Sequence, residues 1–217
     1  MIVNSQENKS EIFIREQDLV ARNFNEPALL DQAYKLRQEV FTKRLKWVGQ
    51  EDAQHEKDTY DEHSIVFGVF RNETLLGMVR IIDKPEHFMM HKDFLHLVHE
   101  KHSIRTENDT IELSRLVVDP SIQKTSLGNL VARLLYKSVY QWSIANKKRY
   151  WYFASTERFV TSLKKRFGLV VEITGELHKD HRGEKYHGAF IDLRELERSL
   201  NSWDPRKYIA FRWLLKK

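Results

Sequence analysis

From Pro27 the apolar positions Leu29, Leu30, Ala33, Leu36, Val40 and Phe41 recur at helical spacing, and Pro27 suits a first turn; together they predict a helix over 27–44. Before it, residues 11–20 mix polar and apolar side chains and read as a first strand or a loose arm. Behind it, residues 46–63 lose all periodicity: Trp47 and Val48 are followed by Gly49 and a charged run. A loop of that length inside a compact domain is usually functional or mobile. Strand-like runs follow at 63–71 (HSIVFGVFR) and 75–82 (LLGMVRII), with Arg71-Asn72-Glu73-Thr74 as the tight turn between them. The segment 86–104 reads as short helical pieces, and Ile111–Val118 as a strand stopped by Asp119-Pro120. Leu127–Ala145 carries apolar residues at 127, 130, 131, 134, 135, 139 and 142, the stripe of an amphipathic helix. Tyr150–Ala154 is a buried-type strand and Glu157–Phe167 a basic helix closed by Gly168. Strands at 170–174 and 187–192 flank a charged hairpin, and 194–217 forms a helix and an aromatic-basic end.

This order predicts an α/β (α+β) fold, a mixed sheet with helices on both faces. A central strand, helix, strand, helix succession is also the order of the N-acetyltransferase-like fold. With no repeat and no Pro/Gly-rich linker, residues 1–217 are expected to form one domain. Hydrophobic residues at 41% supply one sizeable core and argue against disorder. No run approaches the length of a membrane span, and MIVNSQENKSEIF lacks the marks of a signal peptide. The absence of cysteine removes disulfides and thiolate chemistry and fits the cytoplasm. A net charge of +5 favours acidic partners without choosing among nucleic acid, anionic lipid or an acidic carrier protein.

The candidate chemistry gathers in two stretches, Arg37–Asp61 and Ile111–Asp119. Phe41 and Trp47 read either as core aromatics, with Arg37 a surface charge, or as an enclosure for a sulfonium or ammonium cation. Asp58 and Asp61 are either solvated loop charges or acceptors for a ligand amine and ribose hydroxyls. Arg80, alone in an apolar strand, must find an anion or carbonyl, because burying it unpaired is costly. Glu112 and Arg115 lie three apart on a strand, on opposite faces unless a bulge re-aims one of them. A glutamate there suits accepting a proton from an attacking amine; the alternative is a cross-strand pair with Arg80. Histidines at 87, 91, 96, 99 and 102 include helical spacings, but there is no HExxH motif and no cysteine, so no metal is assigned. No GxGxxG, Walker A or GxSxG motif is present, which argues against dinucleotide, P-loop and hydrolase chemistry.

The ordered set L-R-x-x-V-F-x-x-R-L-x-W-V at 36–48, D-x-x-D at 58–61, G-x-V-R at 77–80 and E-x-S-R at 112–115 resembles the acyl-homoserine-lactone synthases, the autoinducer synthases of quorum-sensing bacteria. The resemblance covers about 28–193; the lead before Arg37 is longer than usual and the tail beyond 194 has no counterpart. The Arg/Gln-x-x-Gly-x-Gly loop of the wider acetyltransferase superfamily is degraded to QKTSLG at 123–128, which weakens coenzyme A binding through that loop. The resemblance implies acyl transfer from an acyl-acyl carrier protein, or acyl-coenzyme A, to the amine of S-adenosylmethionine. Lactonisation with release of methylthioadenosine follows, with no cofactor and no metal. It further implies that Phe41 and Trp47 enclose the nucleoside and that Asp58 and Asp61 hold the amine side or order the loop, with Arg37 part of the same set. Arg115 would bind the carboxylate, Arg80 support that network and Glu112 assist deprotonation. Ser155 and Thr156 would offer a hydroxyl to a substituted acyl chain. Lys147, Lys148, Arg149, Lys164, Lys165 and Arg166 would offer a basic landing patch for the carrier protein.

Two rivals stand beside this reading. A long-chain N-acyl amino acid synthase would use a similar scaffold, although a free amino acid brings no nucleoside or sulfonium for Trp47 to enclose. A nucleic-acid-binding or membrane-surface protein is suggested by the charge and by the end RKYIAFRWLLKK.

Overall fold

The computed structural model describes residues 10–49, 52–166, 169–201 and 204–216. Its frame, among the described residues, is a nine-stranded sheet. The strands are β1 (Phe13–Glu16), β2 (Leu19–Phe24), β3 (Ser64–Arg71), β4 (Thr74–Ile82), β5 (Thr110–Val118), β6 (Tyr150–Thr156), β7 (Glu172–Ile173), β8 (His178–Lys179) and β9 (Lys185–Asp192). They lie in the order β1-β2-β3-β4-β5-β6-β9-β7, with β8 also paired to β9. Only β5 and β6 run parallel. A parallel pair needs a crossover, and α2 (Ser126–Ala145) supplies it.

Period-two alternation along β3 and β4 separates the two faces of the sheet. Phe67, Val69, Val79 and Ile81 pack in one core with Val131, Leu135 and Trp142 of α2. α3 (Glu157–Arg166) adds Val160 and Leu163, α4 (Leu193–Leu200) adds Leu196, and α5 (Pro205–Leu215) lays Trp213 against the same side. Their alternates Val66, Phe70 and Met78 pack instead with Ala33 of α1 (Pro27–Arg37) and with Phe41. Helices therefore cover both faces.

Three local outcomes differ from the sequence reading. The helix expected over 27–44 is α-helical only to Arg37 and continues as a π-helix over Gln38–Arg44, with the Leu45 N–H donating to the Val40 carbonyl (2.9 Å). The apolar spacing does not distinguish the two, because one widened turn keeps the same stripe inward. The arm at 11–20 is a hairpin, and its second strand runs on through Arg22 and Asn23 to Phe24, pairing with β3. The strand expected at 170–174 shrinks to Glu172–Ile173, and the Gly168 stop lies outside the described residues.

The feature that shapes the centre is a bulge in β5. Arg80 pairs with Ser114 and Met78 with Val117, so Arg115 and Leu116 stand where one residue would fit. Arg115 takes up the extra length at φ +53°, a left-handed conformation uncommon outside glycine and asparagine. β5 and β6 pair only over Thr110–Glu112 and Tyr150–Tyr152. Beyond that point β5 stays with β4 and β6 with β9, and a gap opens in the sheet.

α2 starts beside this gap. Thr125 caps it, its hydroxyl accepting from the Gly128 N–H (3.2 Å), and a Cβ on Gly128 would stand 2.2 Å from the Ile122 carbonyl oxygen. Backbone cannot yield as a side-chain tip can. Gly128→Ala is expected to cost about 1–3 kcal/mol, lowering Tm by roughly 2–4 °C per kcal/mol in thermal unfolding.

Candidate active site

Three elements each deliver one arginine to the α1 side of the sheet. The last turn of α1 brings Arg37, β4 brings Arg80, and the β5 bulge turns Arg115 to the face shared by Ser114 and Arg80. The aperiodic loop supplies three carboxylates, Glu56, Asp58 and Asp61. Arg37 pairs with Glu56 and, at 2.6 Å, with Asp61. Arg80 pairs with Asp58 and, at 2.7 Å, with Asp61. Arg115 reaches Glu56 at 2.9 Å and Asp58 at 2.8 Å. Charges thus alternate around a closed ring: Arg37, Glu56, Arg115, Asp58, Arg80, Asp61 and back to Arg37. Arg37 and Arg80 have no solvent exposure, so the ring must be nearly neutral to be tolerated.

The same acids order the loop. Asp58 accepts from the Tyr60 N–H (3.0 Å), and Asp61 accepts from the Asp58 N–H (2.9 Å), a reciprocal cap on the short 3-10 helix Thr59–His63. Burial pushes the Glu56 carboxyl up, but hydrogen bonds from Arg37 and Arg115 outweigh it and hold the group below the usual carboxylate range. Burial likewise opposes the ionisation of Asp61, and Arg37 and Arg80 outweigh it and hold the carboxyl below the usual carboxylate range. Glu56 was not singled out from the sequence. It carries no motif, and only a charge count would have pointed to it: three clustered arginines ask for three acids, and Asp58 and Asp61 supply two.

Glu112 stands apart from the ring. It is 1% exposed and accepts from the Met89 N–H (2.5 Å) and the Met90 N–H (3.1 Å) in the short turns that follow β4. Burial pushes its carboxyl up to about 8, against the pull of those two donors. Arg80 is not its salt-bridge partner; the Arg80 guanidinium bonds Ser114 (2.9 Å) and the Met89 sulfur (3.3 Å) besides the two aspartates.

Phe41 leaves the π-helix beneath Arg115, whose guanidinium carbon lies 5.5 Å from the ring centroid. Trp47 stacks at a tilt on Phe41, centroids 5.9 Å apart, and remains 39% exposed. Both rings and Arg115 line a cavity of about 370 Å³ that passes through the gap between β5 and β6. Leu116, Val118, Tyr136, Phe153 and Leu163 make its walls largely apolar, and Ser155 and Thr156 stand along it. Of the three ring arginines only Arg115 lines the cavity, and Glu112 does not line it.

The basic residues divide. Lys148 donates to the carbonyls of Asp83 (3.2 Å) and Asn108 (2.6 Å), and Arg149 pairs with Asp192 (2.5 Å) and stacks on Tyr150, so both hold the structure together. Lys147, Lys164 and Lys165 are exposed; the side chain of Arg166 lies outside the described residues. Among the described residues no group of three histidine or acidic side chains is disposed to hold a metal ion, and no helix is long and apolar enough to cross a membrane.

The sequence profile of the autoinducer synthases matches residues 21–194. An acyl-homoserine-lactone synthase of Rhizobium radiobacter is 30% identical over 152 residues, covering 67% of each chain. Among solved structures, the coenzyme A-dependent acyl-homoserine lactone synthase BjaI, with S-adenosylmethionine and isopentyl-coenzyme A, superposes with a TM-score of 0.71 at 17% identity over 86% of this chain and 82% of its own. The synthase LasI superposes with a TM-score of 0.69 at 25% identity, covering 85% and 91%. The sheet with its parted β5 and β6 is thus the N-acetyltransferase-like fold, and the chain belongs to the autoinducer synthase family, an acyltransferase of the acyl-homoserine-lactone synthase kind.

Proposed function

We propose that the enzyme joins the acyl group of a thioester to the amine of S-adenosylmethionine and then closes the lactone. One observation carries the reading: Arg115 belongs at once to the ionic ring, to the aromatic pair and to the cavity wall. The ring faces of Phe41 and Trp47 attract a cation by ~0.5–2 kcal/mol, which suits a sulfonium on a nucleoside. Arg115 meets the methionyl carboxylate, and Arg37 and Arg80 hold it in place through Glu56, Asp58 and Asp61. The acyl chain lies in the apolar cavity, where Ser155 and Thr156 can meet an oxygen on its third carbon.

The chemistry then runs in two displacements. The neutral amine forms a C–N bond at the thioester carbonyl, the thiolate leaves with the electron pair of the C–S bond, and the proton shed by the nitrogen passes to it to give the thiol. The carboxylate oxygen then attacks the γ-carbon, whose C–S⁺ bond breaks to release neutral methylthioadenosine. The sulfonium itself supplies the leaving group, so no metal or covalent enzyme intermediate is needed. Glu112, held up to about 8 by burial, is matched to accept the ammonium proton near neutral pH, by way of water.

The donor is carried by coenzyme A or by an acidic carrier protein. The net charge of +5 and the exposed Lys147, Lys164 and Lys165 suit the carrier protein. The chain acts in this reading as one domain in the cytoplasm.

Incubation with S-adenosylmethionine and a panel of acyl donors is expected to release methylthioadenosine and an N-acyl-homoserine lactone in equal amounts. An N-acyl amino acid with no methylthioadenosine would place the chain with the N-acyl amino acid synthases instead.

Two further outcomes follow from the charges. If Glu112 takes the proton, kcat/KM rises with pH and levels off near pH 8, and Glu112→Gln lowers it and removes the rise. The stability sign is opposite: the unfolded carboxyl ionises near 4.5, the folded one near 8, so folding weakens as pH rises between them. Thermal unfolding from pH 5 to 9 should therefore move in favour of Glu112→Gln relative to the parent.

Arg37→Met leaves Glu56 and Asp61 with one arginine each and the buried ring one positive charge short, and is expected to cost about 3–5 kcal/mol in denaturant unfolding. Adding Glu56→Gln should recover part of that loss.

A further inference from the structure

We infer that Arg182, at the tip of the hairpin between β8 and β9, is a positioning residue that latches the Trp47 loop over the open side of the cavity. The inference rests on the reading of Trp47 as a wall of the acceptor site.

The Trp47 segment has little of its own to hold it. The π-helix ends at Arg44, Lys46 turns left-handed at φ +54°, and the Trp47 N–H donates back to the Phe41 carbonyl (2.8 Å). Leu45, Lys46 and Trp47 are all exposed. The last carbonyls of a helix lack intrahelical partners and carry its negative end, which favours a cation. Arg182 meets that need from 136 residues away: its Nη1 donates to the Leu45 and Lys46 carbonyls, at 2.7 Å each.

The guanidinium arrives already aimed. Asp180 Oδ2 accepts from Arg182 Nε (3.1 Å) and Nη2 (2.9 Å), and Tyr186 Oη lies 3.3 Å from Nη2. Asp180 Oδ1 accepts from the backbone N–H of Arg182 (2.9 Å) and Glu184 (3.0 Å), while Gly183 turns the tip at φ +80°. Tyr186 also sets its ring edge-on to Trp47, centroids 5.9 Å apart at 70°, so that Trp47 meets both Tyr186 and Phe41. Tyr186 pairs across the sheet with Thr156, which lines the cavity. The hairpin therefore bridges the gap, tying the β6–β9 side of the cavity to the helix end that carries Trp47. Binding of a nucleoside at Trp47 and retention of the acyl chain would both depend on one surface arginine.

The test combines amide hydrogen exchange of residues 44–48 with steady-state kinetics for Arg182→Ala and Arg182→Lys, each alone and with Trp47→Ala. Arg182→Ala is expected to speed exchange in 44–48 by about tenfold or more, with the rest of the protein unchanged. KM for S-adenosylmethionine should rise about tenfold while kcat stays within about twofold, and Arg182→Lys should recover part of both effects. In the Trp47→Ala background, Arg182→Ala should add nothing to KM. Unchanged exchange in 44–48 would overturn the latch. Faster exchange with an unmoved KM would uphold the latch and overturn the placing of S-adenosylmethionine at Trp47.

Discussion

Six charged side chains in a closed alternating ring are the constraint on which this structure turns. Arg37 and Arg80 are fully buried, Arg115 is partly buried, and each of the three acids between them touches at least two arginines. Such a ring is not a strong source of net stability, because desolvating six ions offsets most of what their attraction returns. Its consequence is specificity. It holds α1, β4, β5 and the aperiodic loop in one relation, since displacing any member leaves the buried ring with an unbalanced charge. The loop has no apolar stripe to dock it and is ordered by its acids instead.

The ring also accounts for the backbone irregularity beside it. Arg115 could not reach Glu56 and Asp58 from a regular β5, whose alternation would send it to the α2 face. The bulge and the left-handed φ at Arg115 are the local cost of turning it round. From Glu112 on, ahead of the bulge, β5 follows β4 and leaves β6, which opens the cavity through the sheet. The arginine that completes the ring is thus also the one exposed to the cavity. The site is held by charge at one edge and opens on a largely apolar channel at the other.

Much of the fold was legible from periodicity. The long amphipathic stripe at 127–145 is α2, and the apolar runs at 63–71 and 75–82 are β3 and β4. Signals carried by one residue in an apolar run were also legible in kind: Arg80 in LLGMVRII announced a buried cation in need of an anion. Which anion was beyond the local sequence. Glu112 stood in an adjacent strand and looked eligible, yet it accepts two backbone N–H groups instead, and the acids that pair with Arg80 come from a loop about twenty residues upstream. Glu56 was missed because one more acid in QEDAQHEKDTYD carries no pattern. Arg182 was missed for the same reason, in the charged hairpin at 180–184.

By itself the sequence determined the alternation of strand and helix, the two apolar faces, the need to pair Arg80 and the ordered residue set that marks the family. Each of these is local: it depends on spacing along the chain or on residue types a few positions apart. Only the tertiary structure decided the partners in the ring, the face to which Arg115 turns, the separation of Glu112 from the cavity and the grip of Arg182 on the Trp47 loop. Those depend on contacts across tens to more than a hundred residues, where charge attracts charge without regard to sequence spacing and a single bulged residue reverses which way a side chain points.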